Sequence, residues 1–473
     1  MVGRRVFRNF LALSGAQVVA MAAGAVTTFI VARALGPAAF GSLGFGIAIL
    51  SYFGLVVGMG TDLNGTREIA RDDSLAPKAV GTALAFRMVM AMVLLVVLYV
   101  LTLTVEIDPV VKSVLLIQGI GMFAIAISVE FVFQARQRMG VLAVRQIAAS
   151  AVGLAAVVFL VAAPADIFIA AAIPVAVNVL MALALLAVLA NHAGPLFSFD
   201  FAYARKFLKR SAPVALMAVL TTVYINLDIV ILGFLRPQAE VGLYVAAARL
   251  GVFGIVFCNI LHNAFLPALA AARDVTEERT ALAGHFATAL QFLGWPIAVF
   301  GALFAGPIIE VLFGADYSAA AVSMSILMIN VAFFHLTVAG STPLLAWNCD
   351  RPVLMTLIAG AGLNVVLNFI LIPAFGIEGA AVATLIAQIV VWLSFSVTLK
   401  RRFGIGDWRG VLKSGGIAIV SAVPSLVLLE FYTAGSLVGL AVHGLVYSGV
   451  YLLLASASGV VRLDNLAGLF QPR

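Results

Sequence analysis

Nearly the whole chain is filled by apolar stretches of about twenty residues, separated by short charged or Gly/Pro-rich connections. They fall at approximately 9–34, 39–60, 79–104, 109–134, 146–163, 167–190, 208–235, 239–266, 283–306, 320–346, 353–372, 378–399, 409–430 and 435–457. A helix of that length crosses a hydrocarbon core of roughly 30 Å and pairs its backbone polar groups internally, as lipid demands. The sequence therefore reads as an all-α membrane protein with about fourteen transmembrane helices. Composition agrees: 63% of the 473 residues are apolar and 10% charged, against about 45–50% and 25% in soluble domains.

Several other classes drop out. Cys258 and Cys349 show no metal-ligand or redox spacing, which leaves them as packing residues. Arg4, Arg5 and Arg8 precede an apolar run reaching Ala32, too long for a signal-peptide core, so this run is kept as the first span. The net charge of +7 sits in short loops without a recognition module, so no nucleic acid is expected.

Those basic residues instead set topology. With a cytoplasmic N-terminus, the inside loops hold the Lys/Arg groups around Arg67, Arg136, Lys206, Arg279, Arg351, Arg401 and Arg409, together with Arg462 and Arg473. The outside loops keep Lys112 and Arg236. A bias this lopsided over alternate loops places both termini in the cytoplasm. The outside connections are short, the longest being around "GPIIEVLFGADYSAA", and leave no room for an external catalytic domain.

A weak repeat lays "RALGPAAFGSLGFG" on "GFLRPQAEVGLYVA", matching Pro37 with Pro237 and Gly41 with Gly242. Six spans separate the copies, so both enter the membrane in the same sense, related by an axis along the membrane normal. Two six-helix lobes (1–195 and 208–402) are expected, joined by an interfacial linker (196–207), with an extra helix pair and tail at 403–473. The linker region, with Pro195, Phe197, Phe199, Phe201, Tyr203, Arg205 and Lys206, has the composition of an aromatic and basic interfacial segment.

Three stretches carry a family resemblance: "RALGPAAFGSLGFGIAILSYFGLVVGMGTDLNGTREIARDD", "NLDIVILGFLRPQAEVGLYVAAARL" and "GLNVVLNFILIPAFGIEGAAVAT". Together, and in register with the span count, they resemble the polysaccharide-unit flippases of the multidrug/oligosaccharidyl-lipid/polysaccharide exporter superfamily, over the first twelve spans. The resemblance implies a V-shaped pair of lobes opening a central cavity alternately to each side of the membrane. The implied cargo is a polyprenyl-diphosphate-linked oligosaccharide, flipped across the bacterial inner (plasma) membrane for polysaccharide export, with polysaccharide-assembly proteins as partners. It implies a transporter and not an enzyme.

Charged side chains at mid-bilayer are costly, so those present should be paired or face a cavity. Asp228 and Arg249 lie nearly symmetrically about Pro237, and eight residues of helix put Asp228 about 12 Å below the outer surface. They read as a structural ion pair, or as a cavity site in which Arg249 meets a diphosphate while Asp228 serves as counter-ion or proton carrier. Arg87, about two turns into the third span, either snorkels or points into a cavity. Arg33 closes the first span as an interface anchor or diphosphate contact, and Glu130 is a gate or loop pair beside Arg136 and Arg138. Arginine suits such a cargo because its planar guanidinium holds phosphate oxygens in bidentate fashion and keeps its charge when desolvated. His335 could titrate and couple transport to protons, or be a hydrogen-bonded core residue. Asn364 and Asn368, one turn apart, could line a sugar-binding cavity or bond to a neighbouring helix.

No cofactor is expected, and coupling to a proton or sodium gradient stays open. The rival readings are a cation-coupled multidrug exporter of the same superfamily, which would need acidic cavity residues, and a flippase for the peptidoglycan lipid precursor. A membrane glycosyltransferase or polymerase would need paired carboxylates or a metal cluster, and "TREIARDD" offers acids without that order.

Overall fold

A computed structural model of the chain describes residues 2–191, 197–273, 275–406 and 408–460, with the side chains of 2–14, 216–225 and 408 left out. The side chains of Arg4, Arg5 and Arg8, and the whole of Pro195, Arg462 and Arg473, therefore lie outside the described residues.

Every regular element among the described residues is helical. Eleven helices are long and apolar enough to cross a membrane. Two of these, Gly15–Arg71 and Asp350–Phe403, each contain two spans joined without a loop. Counting both halves, together with the helix Phe201–Leu235, gives fourteen spans. The loop-free joints are made by glycine. Gly36 has φ 75° and ψ 171°, and Gly376 has φ 57° and ψ −130°, conformations that a β-carbon would oppose. Pro37 then opens the second span, where its missing N–H is not needed.

Large apolar side chains point outward along the spans, with Phe159 83% and Leu453 72% exposed. In water this would be a liability, whereas lipid solvates such faces. Lipid is as apolar as leucine, so spans associate through close packing and interhelical hydrogen bonds, and small residues sit where backbones meet.

Two spans differ from the sequence expectation. The second does not end in a loop at residue 60: it stops at Gly58, breaks through Met59 (φ 42°) and Gly60 (φ 67°), and resumes as Thr61–Arg71. The fourth is not one helix but three pieces, Pro109–Gly119, Met122–Ala126 and Glu130–Ala135. Hydropathy records only that a stretch is apolar, so neither break changes it. The helix of the seventh span begins ahead of its apolar run, at Phe201, because Asp200 caps it by accepting from the amides of Ala202 (3.0 Å) and Tyr203 (3.1 Å).

By contacts the chain divides into two compact units, Met1–Gly242 and Leu243–Arg473. In the first, Ile69, Val80, Phe131, Phe133, Leu185 and Phe207 form a buried cluster. The turn between the first two spans meets the turn after the seventh. A β-carbon on Gly41 would overlap the Gln238 carbonyl, one on Gly242 would overlap the Pro37 carbonyl, and Gly233 accommodates the ring of Phe45.

In the second unit, Phe286, Leu290, Trp347, Val391 and Phe395 form the core with Cys258, and the Trp347 indole donates to the Leu269 carbonyl at 3.0 Å. The ninth span, Thr276–Leu303, is contacted from several sides. His335 of the tenth span packs on Gly294, Gly415 of the thirteenth lies against Trp295, and the Tyr451 hydroxyl of the fourteenth donates to the Phe292 carbonyl at 3.1 Å.

Candidate functional site

In the first unit, the break in the second span turns Thr61 and Asp62 toward the third. Arg87 is fully buried there. Its Nε donates to Thr61 Oγ1 (2.7 Å), one terminal nitrogen to the Ser128 carbonyl (3.1 Å) and the other to Asp62 (2.8 Å), while the guanidinium lies 5.5 Å from the centroid of Phe131. Asp62 is itself half exposed. Arg87 therefore neither snorkels nor stands open: its charge is matched and its donors are largely engaged.

Glu130 lies beside this cluster. Its expected neighbours Arg136 and Arg138 are not its partners: Glu130 pairs with Arg145 at 2.9 Å, and Arg136 pairs with Asp73 at 2.8 Å. The helix breaks after Ala135, and the left-handed Gln137 (φ 54°) carries the chain back so that the next helix, not the loop, supplies the cation. Nearby, Glu68 accepts from the Tyr203 hydroxyl (2.5 Å) and from Arg210 (3.1 Å). Asn64 donates to the Phe207 carbonyl at 3.1 Å, tying the second span's extension to the seventh span.

Arg33 is exposed, three residues before the Gly36 joint. Asp228 is half-buried in the seventh span, where its carboxylate accepts from the Ile229 amide at 2.8 Å and its charge reaches Tyr52 of the second.

In the second unit, Arg249 is exposed in the apolar stretch 241–258 of the helix Gln238–Ala271 and makes no hydrogen bond or ion pair with the described residues of its own unit. His335 is buried. A carbonyl can only accept, so Nδ1 carries the proton and donates to the Val331 carbonyl (2.8 Å), leaving Nε2 as a buried acceptor with no partner among the described residues. Asn368 donates to Asn364 (3.0 Å), which donates to Thr384 of the twelfth span (3.4 Å), and Gln388 donates to Thr337 (2.6 Å). The two asparagines thus sit buried on the seam between the eleventh and twelfth spans. A cavity of about 340 Å³ opens among the ninth, tenth, twelfth and thirteenth spans, lined by Thr280, Thr288, Gln291, Trp392 and Ser396.

Among the described residues, no group of three or more His, Cys, Asp or Glu side chains is placed to hold a metal ion. The charged positions described above make ion pairs, hydrogen bonds or exposed cationic sites.

Residues 6–272, more than half of the chain, match the family model described as polysaccharide biosynthesis protein. The chain belongs to this family. A probable low-salt glycan biosynthesis flippase of Haloferax volcanii, Agl15, is 26% identical over 258 residues, 53% of this chain and 51% of its own. A probable flippase of the same organism, AglR, is 30% identical over 173 residues, 35% and 36% of the two chains. An uncharacterized membrane protein of Methanocaldococcus jannaschii is 31% identical over 164 residues, 33% and 31% of the two chains. The matches thus span about half or less of the length of these curated relatives.

Among solved structures, the lipid II flippase MurJ in an inward closed conformation superposes with a TM-score of 0.78 at 14% identity, covering 94% of this chain and 98% of that one. An inward-facing multidrug resistance transporter of the MATE family gives 0.70 at 16% identity, covering 84% and 98%. This polysaccharide biosynthesis family member therefore has the fold shared by those transporters.

Sequence reading missed Thr61, Asp62, Ser128 and Arg145. Asp62 carried a usable signal, since it stands two residues past the glycines of "GMG" and near the depth of Arg87, but hydropathy placed it in a loop.

Proposed function

We propose that the chain flips a polyprenyl-diphosphate-linked oligosaccharide across the bacterial inner membrane by alternating access, for polysaccharide export. In this reading the expected lobes, 1–195 and 208–402, rock about the cargo with both termini in the cytoplasm. The flippases of Haloferax volcanii named above support the class of activity, which is extended here to a chain they match in part.

The observation that carries the substrate class is Arg249, an exposed guanidinium in an apolar stretch of helix with no partner among the described residues of its own unit. A diphosphate presents oxygens that a planar guanidinium grips in pairs, and an organic cation would be repelled. Arg33, exposed near the end of the first span, is the other arginine assigned to the cargo in this reading. Arg87 acts at one remove in this reading, holding the broken second span. Asp228, Glu130 and His335 are the titratable groups through which a proton or sodium gradient would act.

The test is cellular. Arg249→Gln should let lipid-linked oligosaccharide accumulate on the cytoplasmic side while protein abundance in the membrane stays at the wild-type level. Arg249→Lys should restore little, because an ammonium lacks the fork. Unaltered export by Arg249→Gln would remove the assignment.

A further inference from the structure

The chain leading into the seventh span carries exposed rings and cations that the proposed transport does not use. Residues 197–200 run without helix along the start of the third span. The Ser198 amide donates to the Pro77 carbonyl (3.1 Å), Lys78 pairs with Asp200 (3.0 Å), and Gly81 leaves room for the Ser198 backbone. So pinned, the segment leaves Phe197, Phe199 and Phe201 outside, at 56%, 60% and 77% exposed.

The helix that follows is two-faced. Ala204, Phe207 and Ser211 are buried against the unit, while Phe201, Arg205, Lys206 and Lys209 share the opposite, exposed face. The acids nearby are already engaged. Asp200 is held by Lys78 and by its two cap amides, and Glu68 by Arg210 and Tyr203. Arg205, Lys206 and Lys209 have no ion-pair partner among the described residues.

Position supplies the remaining step. The same helix continues into the apolar run that starts near Ala212. Residues 197–200 lie beside Pro77–Gly81, where the apolar run of the third span opens, and at 1.5 Å per residue Lys209 stands about 4.5 Å before the apolar run of its own helix. Three aromatic rings and three uncompensated cations therefore meet the bilayer at the depth of its headgroups.

We propose that residues 197–209 form a docking site for anionic phospholipid headgroups of the surrounding leaflet, with the phenylalanines set between acyl chains and Arg205, Lys206 and Lys209 on the lipid phosphates. Charge complementarity and continuity with the spanning helix select lipid as the occupant.

The experiment uses the full-length protein with phosphatidylglycerol or phosphatidylcholine, reading retained lipids by native mass spectrometry. Wild type should retain phosphatidylglycerol over phosphatidylcholine, and each charge removed in the series Arg205→Gln, Lys206→Gln, Lys209→Gln should weaken retention about fivefold at low salt. Substituting Lys400 and Arg401 by Gln measures the loss due to net charge alone; an equal loss per charge at both places overturns the proposal, as does wild-type retention by the triple variant. A second measurement needs no variant: hydrogen exchange of amides 197–206 should be slower in phosphatidylglycerol nanodiscs than in phosphatidylcholine nanodiscs. Equal exchange in the two also overturns it.

Discussion

Gly41 and Gly242 face one another across two membrane turns, each occupying space that a β-carbon on the other would claim. A β-carbon at Gly41 would meet the Gln238 carbonyl and the Gly242 amide, and one at Gly242 the Pro37 carbonyl and the Gly41 amide. The atoms in the way are backbone, which cannot step aside as a long side chain would. These are also the two glycines that the weak sequence repeat aligns, so the repeated turns touch through equivalent residues.

Gly41→Ala and Gly242→Ala should each destabilise the protein by about 1–3 kcal/mol, the usual cost of overpacking, despite alanine's better helix propensity. The double variant should cost less than the sum, because both methyl groups open the same contact. Thermal unfolding in detergent reads this directly, and an unchanged midpoint for both single variants would show that the turns are not in contact.

The pair formed by Arg87 and Asp62 yields a second expectation. Asp62→Ala strands a buried guanidinium, at a cost toward the lower end of about 3–5 kcal/mol because the carboxylate is half exposed. Combining Arg87→Met with Asp62→Leu should cost less than Asp62→Ala alone, since no charge is then left buried. The comparison is made by melting temperature, and a double variant weaker than Asp62→Ala would contradict a structural role for the pair.

Asp200 gives a pH dependence with a definite sign. The Lys78 ammonium, with the Tyr203 and Ala202 amides, holds its carboxyl below the usual carboxylate range. Its contribution is thus complete above the unfolded value and disappears as pH falls through the lowered one. Protection of the Ser198 amide against exchange, corrected for the intrinsic rate, should persist from pH 7 to about pH 4 and fall only below that. In Asp200→Ala it should be low throughout; protection lost at pH 5–6 in the wild type would rule out this pairing.

His335→Phe removes a buried nitrogen that lacks a partner while keeping a planar ring against Gly294. Its melting temperature should be no lower than the wild type's. If His335 carries the coupling proton proposed above, the variant's export should also lose its dependence on the proton gradient. Gly294→Ala, by contrast, drives a methyl into the imidazole and should cost about 1–3 kcal/mol.

Much of the fold could be read from the sequence, because lipid imposes one rule on every span: apolar side chains and internally paired backbone. That rule finds fourteen spans, whereas the loop-free joints at Gly36 and Gly376 appear only in the structure. It could not find the breaks at Met59–Gly60 and Gly119–Met122, which leave hydropathy untouched. The site residues fare differently for the same reason. Arg33, Arg87, Asp228 and Arg249 stand out as charges in apolar surroundings, but what pairs with each depends on helix rotation. So Asp62 went unseen beside Arg87, and Glu130 found Arg145 rather than the arginines closest to it in sequence. For Asn364 and Asn368, spacing gave the shared face, while the burial of that face against Thr384 required the neighbouring helix.

The ninth span is indexed on three bearings within one turn. Phe292 answers to the fourteenth span through its carbonyl, Gly294 to the tenth through the imidazole, and Trp295 to the thirteenth through Gly415. Swivelling the helix about its own axis would mis-set all three at once, so its azimuth is fixed. Without the final pair, the bearings at Phe292 and Gly415 would be lost, and only the tenth span, through His335 and Phe333, would still hold the helix's rotation. The terminal hairpin thereby supplies two of the three bearings that set the azimuth of the ninth helix.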